Sequence, residues 1–298
     1  MDYFVYCFTF CLETYHLFNP KIQKTLETST LKTAFITGGS MGIGLAIAKE
    51  LTEKNCNIAI FARTLSKLEE AKQLLEKHRK SSDQIIEIFS VDLSDFAAVK
   101  STYETAVQKV DIPDYMINCV GIAQPDHFEN ITPEIFDKTI KTNLYGTWNS
   151  CYAIVPFMKQ KPKSVLINTS SIAGFMPVFG YTDYCMTKFG LIGFTESLRF
   201  ELKKYNINVK VLCPPDTDTP GYEAENLHKP EETNAIAGSV KLVKPEYVAR
   251  EAIKNLDNNK FMIIPGMDGK FTLLARRFIP GVVTFYMNQV IKKVQSKK

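Results

Sequence analysis

The chain has 298 residues, 45% of them apolar and 23% charged, which fits one large globular domain with short extensions and excludes a disordered or fibrous chain. Its net charge of +4 is uneven: Lys270, Arg276, Arg277, Lys292, Lys293, Lys297 and Lys298 stand in a stretch with no acidic residue, leaving 29 basic against 32 acidic residues elsewhere, so the body is no basic nucleic-acid binder. Cys7, Cys11, Cys56, Cys119, Cys151, Cys185 and Cys213 are odd in number, scattered, and form no CxxC or Cys/His cluster; they read as reduced core thiols of a cytosol-facing compartment, with no metal site.

Residues 1–30 form an aromatic extension, DYFVYCFTFCLETYHLF, interrupted by Glu13 and His16. Its apolar run is far shorter than the roughly 20 residues of a spanning helix, and it lacks the basic lead and cleavage site of a signal peptide. It can lie in a membrane interface, pack on the body, or cover a partner surface. From residue 31, strand-like and helix-like segments alternate. TAFIT is a buried-strand run, followed by glycine-rich GGSMGIG and helical LAIAKELTEK. NIAIFA precedes the charged helix LSKLEEAKQLLEKHRK, and QIIEIFSV precedes SDFAAVKSTYETAVQKV, a helix opened by a Ser/Asp cap. YMINCV, SVLINTS, NVKVLC and KFMIIP are further strands, with TKFGLIGFTESLRFELKKY as a long helix. Repeated β-α units predict a doubly wound α/β fold of Rossmann type, a parallel sheet of about seven strands with helices on both faces. Residues 31–266 are predicted as this domain, and residues 267–298 as a basic amphipathic segment.

TGGSMGIG follows a strand and opens a helix. Gly38, Gly42 and Gly44 let the turn tighten and let backbone approach a pyrophosphate at a helix N-terminus, with Ser40, Met41 and Ile43 between them. Such a turn alone is equally a tight βα connection; its strand-turn-helix setting favours the nucleotide reading. After the second strand, where NAD sites commonly carry an acid for the ribose 2′-hydroxyl, stands Arg63. A guanidinium can hold a 2′-phosphate bidentately, which favours NADPH over NADH; the alternative is a solvent-facing arginine. VDLSD places Asp92 and Leu93 where an adenine amino group can be read, and NCVG places Asn118 and Gly121 where backbone passes a ribose. All lie at carboxyl ends of predicted strands and outline one crevice.

TGGSMGIG, NCVG, NTSSIAG and YCMTK, in this order from Lys32 to Pro265, resemble the short-chain dehydrogenase/reductase family. The resemblance implies ketone reduction with NADPH, hydride going to carbon and a proton to oxygen. Tyr184 would be the proton donor. A free phenol has a pKa of about 10, and bringing it near 7 takes roughly 4 kcal/mol from Lys188, one helical turn on, and from the nicotinamide's positive charge. Lys188 would also hold the nicotinamide ribose. Ser171, rather than Ser170, would orient the substrate oxygen, because it stands thirteen positions before Tyr184 as in the family pattern. Asn143 in KTNLYG resembles the family's fourth member, which holds a water in a relay with Lys188. Tyr181, two turns from Lys188, is a decoy. In CPPDTDTPG, Thr217 and Thr219 would bind the nicotinamide carboxamide and a phosphate, while Pro215 replaces the usual glycine and stiffens the loop. The family's habit of pairing long helices implies a homodimer or homotetramer.

PPDTDTPGYEAEN is similar to one branch of that family, the reductases of 3-ketodihydrosphingosine, a lipophilic ketone built on a long-chain sphingoid base. Such a substrate resides in membrane, and the tail suits it. Phe278, Val282, Phe285, Tyr286 and Val290 fall at helical spacing between basic residues, so this segment can lie in an anionic interface, pack on the body, or cross a dimer interface. The branch implies a cytosol-facing membrane surface, of the endoplasmic reticulum in a eukaryote or the inner membrane in a bacterium, or the cytoplasm. Its eukaryotic members typically begin with a spanning helix, from which this interrupted aromatic start departs. Two other functions stay open: reduction of a steroid or 3-ketoacyl chain, and NADP(H) binding without turnover, against which the complete set of Asn143, Ser171, Tyr184 and Lys188 argues.

Overall fold

A computed structural model describes residues 31–238 and 242–297; the aromatic extension, with Cys7 and Cys11, lies outside the described residues. One parallel sheet is built from β1 (Thr33–Thr37), β2 (Asn57–Ala62), β3 (Ile86–Ser90), β4 (Tyr115–Asn118), β5 (Ser164–Thr169), β6 (Ile207–Leu212) and β7 (Met262–Ile263). Their order across it is β3-β2-β1-β4-β5-β6-β7. The helices are α1 (Gly42–Glu53), α2 (Leu65–Glu76), α3 (Phe96–Val110), α4 (Pro133–Ile140), α5 (Gly146–Met158) and α6 (Thr182–Leu202), then α7 (Pro220–Asn226), α8 (Glu231–Ala237), α9 (Pro245–Lys254), α10 (Met267–Phe278) and α11 (Pro280–Gln295).

Strand β1 shows why both faces are covered. Every one of its residues is buried, and the pleat sends successive side chains to opposite sides. Ala34 and Ile36 join Ile47 and Leu51 of α1 and Val248 and Ala252 of α9. Phe35 joins Tyr103 of α3 and Ile154 and Met158 of α5 on the other side. The strand order reverses between β1 and β4, where Thr37 pairs in register with Asn118. Connections leave these neighbours in opposite directions, and a crevice opens at their carboxyl ends.

Two elements differ from expectation. Helix α6 begins at Thr182, earlier than the predicted run, because Gly180 turns the chain with a φ of 79° and the Cys185 N–H already donates to the Tyr181 carbonyl at 2.7 Å. Tyr184 therefore stands in its first turn, with Lys188 one turn on. The tail is two helices rather than one stripe. Ile279 takes φ −132° and ψ 50°, since a residue before proline is driven out of the helical region, and Pro280 then heads α11. Phe278 thus ends α10 and does not continue the stripe of Val282, Phe285 and Tyr286. α11 packs on α8, with Gln295 Nε2 donating to Glu232 Oε1 at 3.4 Å. Among the described residues, no helix is long and apolar enough to cross a membrane. Cys56, Cys119, Cys151, Cys185 and Cys213 are free thiols.

Candidate active site

A cavity of about 910 Å³ runs from the glycine turn, over the carboxyl ends of the strands, to the tail helices. At its first end Gly38 has a φ of 63°, and its N–H donates to the Phe61 carbonyl at 2.8 Å. A Cβ on Gly38 would stand 2.9 Å from the Cys119 carbonyl oxygen, and one on Gly44 would strike the Gly38 carbonyl. The turn is therefore closed on itself and on the loop after β4. α1 starts inside the motif, and Met41 at its N-cap offers no side-chain cap, which leaves first-turn N–H groups for an anion. Ser40, Met41, Gly42 and Ile43 line the cavity with Gly38 and Gly44. These glycine approaches and the uncapped helix fit a dinucleotide pyrophosphate.

Arg63 lines the same cavity with an exposed side chain. Asp92 Oδ1 accepts from the Ser94 N–H at 2.9 Å and from Ser94 Oγ at 2.8 Å. The backbone bond above all, with the Arg63 charge contributing, holds the Asp92 carboxyl below its usual range. Leu93 and Gly121 line the cavity too. Asn118 does not. It is 1% exposed, donating to Asn168 Oδ1 at 2.8 Å and accepting from Thr37 Oγ1 at 3.3 Å. It struts β1, β4 and β5 together at the switch point, and the next residues, Cys119 to Gly121, face the cavity instead.

Ser171, Tyr184 and Lys188 meet midway along the cavity. Ser170 Oγ is committed to the Lys188 carbonyl at 2.8 Å. Ser171 Oγ accepts from the Ala173 N–H at 3.1 Å and still lines the cavity. Lys188 is 3% exposed, its Nζ donating to the Thr169 carbonyl at 3.1 Å and lying 5.4 Å from the Tyr184 ring centroid. Burial pulls the Lys188 ammonium down to about 8. Burial, and after it the Glu225 carboxylate, push the Tyr184 hydroxyl above its ordinary value, with the Ser171 hydroxyl pulling the other way. The expected lowering of Tyr184 joined Lys188 to the nicotinamide's positive charge; the groups of the protein around it, taken together, act in the opposite direction.

Asn143 is fully buried in a turn of wider, π-type pitch at Lys141–Tyr145, a local widening common at functional positions. Its Oδ1 accepts from the Ile122 N–H at 2.8 Å, and its Nδ2 donates to the Ile122 carbonyl and to Thr187 Oγ1, each at 3.0 Å. It stands one layer behind the cavity: a Cβ on Gly121 would lie 3.1 Å from Lys188 Nζ and 3.6 Å from Asn143 Oδ1. Thr217 and Thr219 line the cavity. Thr217 Oγ1 donates to the Pro215 carbonyl at 2.7 Å, and Thr219 Oγ1 caps α7 by accepting from the Tyr222 N–H at 3.1 Å.

Beyond the reacting centre the structure adds residues that sequence reasoning missed. Tyr181 is not a bystander: its ring centroid lies 5.6 Å from that of Tyr184, and its hydroxyl donates to Glu225 Oε2 at 3.0 Å. Asp216 and Glu225 line the cavity, and Ile279, Val282, Val283, Tyr286 and Met287 of the tail form its apolar wall. The sequence signals were the acid-rich run DTDTPGYEAEN for Asp216 and Glu225 and the helical spacing of Val282 and Tyr286 in the tail.

The family described as short chain dehydrogenase matches residues 32–230. A 3-ketodihydrosphingosine reductase of Bos taurus is 37% identical over 235 residues, covering 78% of this chain and 71% of that one. A 3-ketodihydrosphingosine reductase of Dictyostelium discoideum is 36% identical over 271 residues, covering 86% and 80%. The crystal structure of a levodione reductase superposes with a TM-score of 0.72 at 20% identity, covering 81% of this chain and 97% of that one, a likeness of fold.

Proposed function

The chain belongs to the short chain dehydrogenase family, and we propose that it reduces 3-ketodihydrosphingosine to dihydrosphingosine with NADPH, as the names of its relatives suggest. One observation carries the reading: a single cavity joins the glycine-turn groove to an apolar chamber, with Tyr184, Lys188 and Ser171 where the two meet. Bound NADPH supplies a hydride to the carbonyl carbon. Tyr184 gives its Oη proton to the carbonyl oxygen, so the ketone becomes a secondary alcohol and the tyrosine a phenolate. Ser171 donates a hydrogen bond to that oxygen and holds it beside Tyr184. The Lys188 ammonium stabilises the phenolate and, standing beside Gly121, would hold the nicotinamide ribose. Asn143 is a positioning residue, tying the loop after β4 to α6 through Ile122 and Thr187. Gly38 to Gly44 would hold the pyrophosphate, Thr217 and Thr219 would hold the nicotinamide carboxamide and a phosphate, and Arg63, which lines the same cavity, would take a 2′-phosphate.

Residues 31–266 act as the reductase body, and residues 267–298 as an amphipathic segment that closes the chamber and rests on a cytosol-facing membrane surface. Exposed Phe271, Phe278, Val282 and Phe285 near Arg276, Arg277, Lys292 and Lys293 support that contact. Exposed Tyr145, Trp148, Tyr152, Met186 and Phe189 support pairing of two chains through α5 and α6.

The test follows reduced-nicotinamide absorbance with 3-ketodihydrosphingosine in detergent micelles. Turnover with NADPH in preference to NADH is expected, and Tyr184→Phe should lower kcat by about 10²-fold or more. Turnover of a steroid or 3-ketoacyl substrate with none of this ketone would keep the chemistry and overturn the substrate.

A further inference from the structure

We propose that Glu225, held by Tyr181 beside the proton donor, pairs with an ammonium group on the carbon next to the substrate ketone and so selects 2-amino ketones. The inference rests on the proposed substrate, whose amine adjoins its ketone, and it assigns the residue that reads that amine.

Charge along the cavity is divided. Arg63 and Asp92 line the nucleotide end, and Lys188 stands at the centre. On the remaining wall, among the described residues, are Asp216, Glu225, Asp268 and one cation, Lys229. Lys229 Nζ donates to Asn226 Oδ1 at 2.7 Å and lies 3.7 Å over the Tyr222 ring; its charge acts on Asp216 and Glu225 without a hydrogen bond to either. Glu225 is fixed in place by the Tyr181 hydroxyl at 3.0 Å, and the Tyr181 ring is the neighbour of the Tyr184 ring at 5.6 Å. A ketone oxygen at Tyr184 has two neighbouring carbons, and the proposal turns the amine-bearing one toward Tyr181 and Glu225. Burial raises the carboxyls of both Glu225 and Asp216, and it outweighs the opposing pull of the Lys229 charge on each and of Lys188 on Glu225.

Glu225 is also a liability to the chemistry unless a cation accompanies the substrate. Its negative charge is the second cause, after burial, of the raised Tyr184 hydroxyl, and it opposes the phenolate that forms when the proton leaves. A substrate ammonium against Glu225 removes that opposition. The amine should then assist both binding and proton transfer, whereas an acid in this position gives nothing to a neutral lipid ketone.

The experiment compares kcat/KM for 3-ketodihydrosphingosine with that for the same chain lacking the amine, in wild type, Glu225→Gln and Tyr181→Phe, with NADPH binding by fluorescence as the check of folding. Wild type should prefer the amino ketone by about tenfold or more, and Glu225→Gln should collapse that preference toward one, as loss of a charged hydrogen-bonded pair implies. Tyr181→Phe, which releases Glu225, should erode it in the same direction and serves if Glu225→Gln does not fold. A wild-type preference that both folded variants retain overturns the role of Glu225 and leaves the substrate standing. A wild type that reduces the amine-free ketone but not the amino ketone overturns the substrate reading, and the inference with it.

Discussion

Lys188 combines near-complete burial with a charge that the proposed chemistry needs. Its native ammonium lies at about 8, below the ordinary 10.5, chiefly through burial. A lysine whose native value is depressed gives up its proton first in the folded state, so its charge opposes folding at every pH below about 8, and that opposition fades as pH rises from about 8 toward 10.5. The residue is therefore placed for function at a cost to stability. We predict that kcat/KM for NADPH falls by one proton's titration above pH about 8; a profile flat to beyond the ordinary lysine range would remove Lys188 from the cofactor's reach. Tyr184 and Lys188 were legible because a four-residue interval on a helix is local geometry. Ser171 was legible through its interval to Tyr184, and the structure adds a reason to prefer it, since Ser170 is tied to the Lys188 carbonyl. Tyr181 and Glu225 were not legible as a pair because 44 residues separate them. Asn118 was named for its backbone beside a ribose; its buried side chain bonds to Asn168 and Thr37, a role the sequence did not show, while Cys119 to Gly121 line the cavity.

At the scale of elements, α11 matters most. Its spacing was readable as a helix, but which side faces what was not, because that depends on where Pro280 redirects the chain. The bend at Ile279 brings Val282, Val283, Tyr286 and Met287 onto the cavity, so the segment read as a membrane-facing tail is also a wall of the chamber. Deleting residues 279–298 should raise KM for a long-chain ketone by about tenfold or more, given ~0.8 kcal/mol for each methylene removed from water. NADPH affinity, measured by fluorescence, should stay within about twofold, because the groove is built from earlier elements. An equal loss for short and long ketones would show that the helix supports the fold and not the alkyl chain. Nothing in KTNLYG marks the wider, π-type pitch at Lys141–Tyr145 that buries Asn143.

The molecule as a whole was the most legible level. Alternating apolar runs and amphipathic helices leave few alternatives to a parallel sheet covered on both faces, and the glycine turn locates the switch point. Less legible was how charge and apolar surface are shared on the outside. Phe278 and Phe285 are 71% and 65% exposed on a segment rich in lysine and arginine. The chain is expected to float with vesicles containing phosphatidylserine and to be released by salt. Lys292→Glu with Lys293→Glu should weaken that binding by about 1 kcal/mol for each residue changed; binding indifferent to both would take the tail out of the contact. The chamber wall is also encoded downstream of what it covers. Every residue of the glycine turn and the reacting centre, from Gly38 to Thr219, is synthesised before Met267. The apolar wall of the cavity is therefore made last, after every residue that the cofactor and the reacting centre would use.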